Sequence, residues 1–198
     1  TAKSVLDFAI SPDQKQVIYI EQTEEIRYEL WLMNTDGTEN HLATSCINAV
    51  CGQPVWSPDG KHVVYEYMVI SADGSTTGTA SLWWFDISSG KAQSVFQEDR
   101  LPGTNPRWSP NGEWLSYATP EGIRLHHLES GESRMIKNAL KAAVQWSPDS
   151  KSILLRDVII KNDQFVTQLF RYDLSSETLT NLNANENMEN ILAAWSAD

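Results

Sequence analysis

Several features that would assign this chain to a functional class are missing from it. Its 198 residues include only two cysteines, and no apolar run approaches the roughly 20 residues that cross a bilayer. It contains no Gly-x-Ser-x-Gly elbow of the kind that carries the nucleophile of a hydrolase. The opening residues Thr1 to Ser4 carry no targeting signal. We therefore expect neither membrane insertion nor a self-contained enzyme.

Positive charge is also scarce. Fifteen Lys and Arg stand against twenty-six Asp and Glu, which gives a net charge of -11. The basic residues are scattered, whereas phosphate binding needs a concentrated positive surface. Nucleic acid is therefore excluded as the expected partner, while basic peptides remain compatible with the acidic surface, which also serves solubility.

The metal-ligating residues do not form a metal motif. Cys46 and Cys51 have no CxxC spacing and no second ligand pair. A local disulfide, which would imply an oxidising compartment, and two reduced thiols both remain open. His126 and His127 are neighbours on a predicted strand, so their side chains point to opposite faces. We expect no metal, no cofactor and no catalytic residue.

What the chain does have is an internal repeat with a recognisable anchor. The anchors begin at five positions, separated by 46, 52, 38 and 49 residues. They are Ile10-Ser11-Pro12-Asp13-Gln14, Trp56-Ser57-Pro58-Asp59-Gly60, Trp108-Ser109-Pro110-Asn111-Gly112, Trp146-Ser147-Pro148-Asp149-Ser150 and Trp195-Ser196-Ala197-Asp198. A period of about 40 to 50 residues is typical of a propeller blade with four strands.

Each anchor predicts a tight turn between two strands, because proline, an acidic or amide residue and glycine suit consecutive turn positions. Large side chains recur nine residues after the first anchor residue, and again two residues earlier, which indicates a strand. The first set is Tyr19, Tyr65, Tyr117 and Leu155. A Leu-aromatic strand and a weaker outer strand complete each repeat.

We predict an all-β fold, a β-propeller of four-stranded antiparallel blades, with about four blades and the start of a fifth in one domain over 1–198. The blades are expected at approximately 4–44, 52–98, 104–138 and 142–183. The stretch 191–198 would start the next blade or close the first. An unclosed ring would leave two exposed blade faces, so self-association that closes the propeller is a possible outcome.

The anchor followed by these strands resembles the TolB-type propeller repeat, a WD40-like repeat found in TolB-like periplasmic proteins and in propellers of tricorn-like and prolyl-oligopeptidase-like peptidases. The resemblance implies a non-catalytic scaffold that binds a protein or peptide, in the periplasm or outside the cell. The alternative is a substrate-gating propeller of a peptidase whose catalytic domain lies outside this sequence. A propeller enzyme with a site divided among further blades is a third possibility, since one fold serves unrelated tasks.

The tryptophans divide into two groups. Those at repeated positions are expected to pack between blades, together with the repeated tyrosines. These structural anchors are Trp56, Trp108, Trp146, Trp195, Tyr19, Tyr65 and Tyr117. Trp84 and Trp114 fall outside the shared pattern, which makes them candidates for exposed contact residues, with core packing as the alternative.

Candidate partner-binding residues come from positions where the repeats differ. Glu66, Arg156 and Asp157 lie near the ends of predicted inner strands, where a site built on a repeated frame would vary. Ordinary inter-blade ion pairs are the alternative. Gln53 and Asn105 precede prolines of the innermost strands and are expected to line a central channel, with Arg100 and Arg107 nearby.

Overall fold

The computed structural model describes residues 4–24, 27–71, 74–76, 78–96, 102–183 and 193–196. It divides into two compact units, Thr1–Pro106 and Arg107–Asp198. Every regular element in the described ranges is a β-strand, and the sixteen strands form four antiparallel sheets of four. Within these ranges there is no helix with the length and apolar character to cross a membrane.

The first unit contains two sheets whose strands are ordered as they follow in the chain. The first sheet consists of β1 (Ser4–Ile10), β2 (Gln16–Glu24), β3 (Arg27–Asn34) and β4 (His41–Cys46). The second consists of β5 (Ala49–Trp56), β6 (His62–Val69), β7 (Ser81–Asp86) and β8 (Lys91–Ser94).

The other two sheets follow the same order. The third consists of β9 (Thr104–Trp108), which crosses the boundary of the units, β10 (Trp114–Thr119), β11 (Gly122–His127) and β12 (Ser133–Lys137). The fourth consists of β13 (Gln145–Trp146), β14 (Ser152–Lys161), β15 (Gln164–Asp173) and β16 (Thr178–Asn181). The expected all-β fold of four-stranded repeats is confirmed, while the single domain over 1–198 stays a prediction.

Each anchor turn is closed by the same serine-centred hydrogen bonds. In the second repeat, the Ser57 hydroxyl donates to Asp59 Oδ1 at 2.6 Å and accepts from the backbone N–H of His62 at 3.0 Å. Asp59 Oδ1 also accepts from the N–H of Lys61 at 3.1 Å. Equivalent bonds are made by the serines of the other three turns, which are Ser11, Ser109 and Ser147. All four serines are buried.

The fifth anchor residue has a left-handed backbone in all four complete turns. Gly60 and Gly112 have φ values of 70° and 77°, which suit glycine. Gln14 and Ser150 adopt 61° and 60° at the same position. The turn therefore holds Gln14 and Ser150 at a positive φ, although residues other than glycine ordinarily prefer a negative φ.

Three of the anchor tryptophans, Trp56, Trp146 and Trp195, donate a hydrogen bond from the indole to a strand of the preceding sheet. Trp56 is 7% exposed and donates from its indole Nε1 to the carbonyl of Ala9 at 3.1 Å. Trp195 makes the equivalent bond to the carbonyl of Gln145, also at 3.1 Å. Trp146 is buried and donates to the Ser116 hydroxyl at 2.9 Å, whereas Trp108 is half-buried.

A separate apolar core fills each unit. The core of the first unit joins the first two sheets and consists of Ile18, Ile20, Leu30, Leu32, Cys46, Ala49, Cys51, Trp56, Val63, Tyr65 and Phe85. The core of the second unit consists of Trp114, Ala118, Ile123, Leu125, Ile136, Val144, Trp146, Ile153, Leu155 and Tyr172. The repeated tyrosines Tyr19, Tyr65 and Tyr117 are buried as well, and burial raises the pKa of Tyr117 to about 12.

The two cysteines form a disulfide, which decides the alternative that the sequence leaves open. Cys46 is the last residue of β4 and Cys51 lies in β5, so the bond joins the first sheet to the second. Both residues are 3% exposed. The pair thus belongs to paired strands and to the apolar core of the first unit.

Acid should weaken the fold through the anchor carboxylates. Hydrogen bonds from the Ser11 hydroxyl and the N–H of Lys15 lower the pKa of Asp13 from its ordinary value of 3.8. The hydrogen bond from the Ser147 hydroxyl likewise lowers the pKa of Asp149. Burial raises the pKa of Asp59, but its hydrogen bonds to Ser57 and Lys61 outweigh this, so the net shift is downward. A depressed folded-state pKa stabilises the fold above the unfolded value, and that stability is lost as pH falls through the folded value.

We therefore expect the free energy of unfolding to decline as the pH falls below about 4. The triple variant Asp13→Asn, Asp59→Asn, Asp149→Asn should fold at neutral pH, because Asn111 already accepts the same bonds in the third turn. Its decline on acidification should be shallower than that of the native chain. Urea denaturation at a series of pH values measures the free energy of unfolding of the native chain and of the triple variant. If this free energy declines equally with pH in the two proteins, the anchor carboxylates are not the cause.

The indole of Trp56 should be a principal source of stability. Trp56→Ala is expected to lower the free energy of unfolding by about 3–5 kcal/mol, because it empties a buried site. Trp56→Phe keeps much of the packing and loses the bond to Ala9, at a cost of about 1 kcal/mol beyond the volume change. Denaturant titrations of both variants provide the comparison, and an unchanged midpoint for Trp56→Ala would refute the packing role.

Candidate functional site

The innermost strands of the first two sheets, β1 and β5, each carry an irregularity in their pairing, and the one in β5 spans Pro54. The pairing of β5 with β6 shifts register between Gly52 and Val55, and the pairing of β1 with β2 shifts between Val5 and Asp7. Gln53 and Asn105, each three residues before an anchor tryptophan, have φ values of 52° and 54°. Because proline cannot donate to a strand ladder, a bulge is the place where a strand tolerates it.

Carboxylates from neighbouring strands hold these bulges in place. Asp7 Oδ2 accepts from the backbone N–H of Gln53 at 3.0 Å. Glu66 Oε1 accepts from the backbone N–H of Asn105 at 2.7 Å. Hydrogen bonds from an N–H to an ionised carboxylate are stronger than neutral ones, so they help to maintain a backbone conformation that costs free energy for residues other than glycine.

We call Asp7, Gln53, Glu66 and Asn105 the bulge site. Asp7 occupies in the first repeat the position of Gln53 in the second and Asn105 in the third. The same position of the repeat therefore carries a carboxylate in Asp7 and a side-chain amide in Gln53 and Asn105. The Gln53 side chain is exposed, and those of Glu66 and Asn105 are half-buried. Such groups accept and donate hydrogen bonds, and none of the four is a nucleophile paired with a base.

Arg156 and Asp157, which the sequence groups with Glu66, lie in the second unit. Asp157 Oδ1 accepts from the backbone N–H groups of Ala139 and Val158, both at 2.8 Å. The carbonyl of Arg156 accepts from Asn138 Nδ2 at 2.7 Å. These bonds attach β14 to the segment that follows β12, so here a carboxylate again positions backbone. A binding role for either residue stays a prediction.

The exposed-tryptophan hypothesis is wrong for Trp114. Its side chain is 7% exposed, packs edge to face against the ring of His127 at 4.8 Å, and lies under the Arg134 guanidinium. Trp84 is half-buried and stacks on His62 at 5.1 Å. Every residue of β10, the strand that begins with Trp114, is buried. A strand that is buried on both faces has no exposed position. A tryptophan that departs from the repeat pattern can therefore still be buried.

The sequence also places two arginines, Arg107 and Arg100, near the predicted channel. Arg107 is half-buried, and its carbonyl accepts from the Ser116 hydroxyl at 3.0 Å. Arg100 lies outside the described residues. Among the described residues, no group of three or more His, Cys, Asp or Glu side chains is arranged to hold a metal ion.

Asp7 is the site residue that sequence reasoning missed. Its signal was the register of the repeat, because it stands three residues before the first anchor just as Gln53 and Asn105 stand before theirs. The anchor tryptophan is replaced by Ile10 in that repeat, which made the equivalence less visible. Asn138, which is buried and binds the carbonyl of Arg156, carries no such signal.

No protein-family model matches the chain. Among curated proteins, it is 27% identical over 109 residues to the uncharacterized peptidase YuxL of Bacillus subtilis strain 168, covering 52% of this chain and 16% of that protein. It is also 27% identical over 95 residues to the Tol-Pal system protein TolB of Francisella tularensis subsp. mediasiatica, covering 48% and 20%. The chain thus spans a fifth or less of the length of these relatives.

Solved structures show the fold. TolB from Acinetobacter baumannii matches 91% of this chain over 43% of its own length, with a TM-score of 0.64 and 20% identity. The β-propeller domain of the Trilobed protease from Pyrococcus furiosus matches 92% over 58%, with a TM-score of 0.64 and 13% identity. The sequence expectation of a TolB-type β-propeller is confirmed, and the neighbours include both TolB and peptidase propellers.

The bulge site should store backbone strain that glycine relieves. Gln53→Gly is expected to raise the free energy of unfolding by about 1 kcal/mol, because glycine adopts a positive φ without the penalty of other residues. Gln93→Gly is the matched control. Gln93 lies exposed in β8, where glycine should be destabilising by about 0.5–1 kcal/mol. Opposite signs in urea denaturation support stored strain, whereas a loss of stability in both variants would contradict it.

Proposed function

We propose that the chain is a non-catalytic propeller module of TolB-like type that binds a protein or peptide partner through the bulge site. One observation carries this proposal: Gln53 and Asn105 share a positive φ at the same position of the repeat, and Asp7 stands at that sequence position in the first repeat. A frame held by carboxylate hydrogen bonds keeps these side chains in place before a partner arrives, which reduces the entropy cost of binding.

The charge of the first unit indicates the chemistry of the partner. Residues 1–106 contain fourteen acidic and six basic side chains. Together with the carboxylate and amide oxygens of the bulge site, this favours a partner segment rich in Lys or Arg. The same field disfavours nucleic acid, whose backbone is anionic.

An extracytoplasmic location accompanies the proposal. The Cys46–Cys51 disulfide is the kind of bond that persists in oxidising compartments such as the periplasm. Likeness to TolB supports the periplasm in particular.

A selection with phage-displayed random peptides tests the binding function. We expect the native chain to enrich peptides rich in Lys or Arg, with affinities that weaken as salt rises. The double variant Gln53→Ala, Asn105→Ala should bind the selected peptides about tenfold more weakly, corresponding to about 1.4 kcal/mol. Gln93→Ala, which removes an exposed amide from β8, serves as the control and should bind like the native chain.

Equal binding by the double variant and the native chain would contradict the bulge site. Enrichment without regard to charge would contradict the basic partner. Turnover of small esters or peptides by the purified chain would contradict a non-catalytic module.

The second candidate is a substrate-gating propeller of a peptidase. It is favoured by the match to YuxL and by the structural match to the Trilobed protease propeller. An α/β-hydrolase segment carrying a Gly-x-Ser-x-Gly elbow in the same polypeptide would favour this candidate over the first.

A further inference from the structure

The third anchor turn contains the only Asn-Gly pair of the sequence, Asn111-Gly112. An asparagine in this position is prone to deamidation, because glycine has no Cβ to hinder its backbone nitrogen. That nitrogen attacks Cγ of Asn111, a C–N bond forms, and the side-chain nitrogen leaves as ammonia with the proton of the Gly112 N–H. Water then opens the cyclic imide at either carbonyl, which gives aspartate or isoaspartate.

The folded turn holds both reacting groups. The backbone N–H of Gly112 donates to the carbonyl of Ser109 at 2.9 Å. Asn111 Oδ1 accepts from the Ser109 hydroxyl at 2.6 Å, and Asn111 Nδ2 donates to Glu113 Oε2 at 2.7 Å. The backbone N–H of Asn111 donates to the hydroxyl of Ser150, in the fourth turn, at 3.0 Å. The attack therefore requires the third turn to open.

The third turn also differs from the others in the charges that it carries. Each of the other complete turns has an aspartate followed two residues later by a lysine. These pairs are Asp13 and Lys15, Asp59 and Lys61, and Asp149 and Lys151. The third turn has Asn111 and Glu113 at the same positions. An aspartate at position 111 would thus lie beside another carboxylate, and like charges at this range repel.

We propose that Asn111 is a deamidation site that reacts when the third anchor turn opens, and that its product weakens the second unit. Asn111 is exposed, so water has access to the imide. The reaction replaces the hydrogen bond to Glu113 by repulsion between two carboxylates, and isoaspartate adds a carbon to the backbone of the turn. The third turn lies in the second unit, so this proposal does not depend on the bulge site.

Peptide mass spectrometry of the full chain, incubated in mildly alkaline buffer with and without urea, measures the reaction. We expect Asn111 to be lost at least about tenfold more slowly in the folded chain, because the turn must open first. Gly112→Ser is the control for the chemistry, since its side chain hinders the attacking nitrogen. Ser150 holds a φ of 60° at the same position of the fourth turn, so this variant should fold. It should lose Asn111 severalfold more slowly than the native sequence in urea.

Ser150→Ala tests whether the turn controls the rate. It removes the hydroxyl that accepts the N–H of Asn111, and should speed the loss of Asn111 in the folded chain by about threefold, because one bond that closes the turn is lost. Gln14→Ala is the matched control, because Gln14 occupies the same position of the first turn with a φ of 61°. It should react like the native chain.

Urea denaturation of Asn111→Asp tests the consequence of the reaction. This variant should increase the equilibrium constant of unfolding by about threefold, since it loses a hydrogen bond to Glu113 and gains a repulsion. In the background of Glu113→Lys, which restores the aspartate and lysine pair of the other turns, the same change should not destabilise the chain.

Each measurement can overturn the proposal. The site is wrong if Asn111 persists in urea. Control by the turn is wrong if Asn111 is lost equally fast in the folded and unfolded chains, or if Ser150→Ala reacts no faster than Gln14→Ala. An Asn111→Asp variant as stable as the native chain refutes the weakening of the second unit. Circular dichroism establishes that each variant is folded, and the comparison of the native chain with and without urea needs no variant.

Discussion

The serine hydroxyl at the start of each anchor turn donates to the side chain two residues ahead and accepts from the backbone N–H five residues ahead. This pair of bonds fixes the turn between the strand that enters it and the strand that leaves it, as between β5 and β6. It also places the preceding tryptophan, whose indole then reaches the neighbouring strand, as Trp56 reaches Ala9. A small polar group buried inside a turn thus governs the spacing of strands and the packing of sheets.

The position three residues before each anchor differs between the repeats, as Asp7, Gln53 and Asn105 show. Every complete anchor turn keeps a serine hydroxyl that donates to an Oδ1 atom two residues ahead. Three residues before the anchor tryptophan, the chain needs only a positive φ and a carboxylate to accept its N–H, as Gln53 and Asn105 show. At Gln53 and Asn105 it is the backbone N–H that the carboxylate binds.

The sequence predicted the architecture better than the site. Anchors and alternating strands are local patterns, so the positions of Tyr65 and Trp56 in the core followed directly from them. Burial at Trp114 could not be read in this way, since it depends on His127 and Arg134 packing around the ring. The bond from Asn105 to Glu66 joins residues 39 apart in sequence, and no local pattern reveals such a pair.

The disulfide between Cys46 and Cys51 gives the first unit a mechanical property that hydrogen bonds alone would not provide. Tension applied along the chain would pass through the sulfur atoms at the junction of β4 and β5 and would bypass the four residues between them. The junction therefore could not lengthen under load. The first sheet would resist being peeled from the second at its outer strand, and the two would bear force as one element.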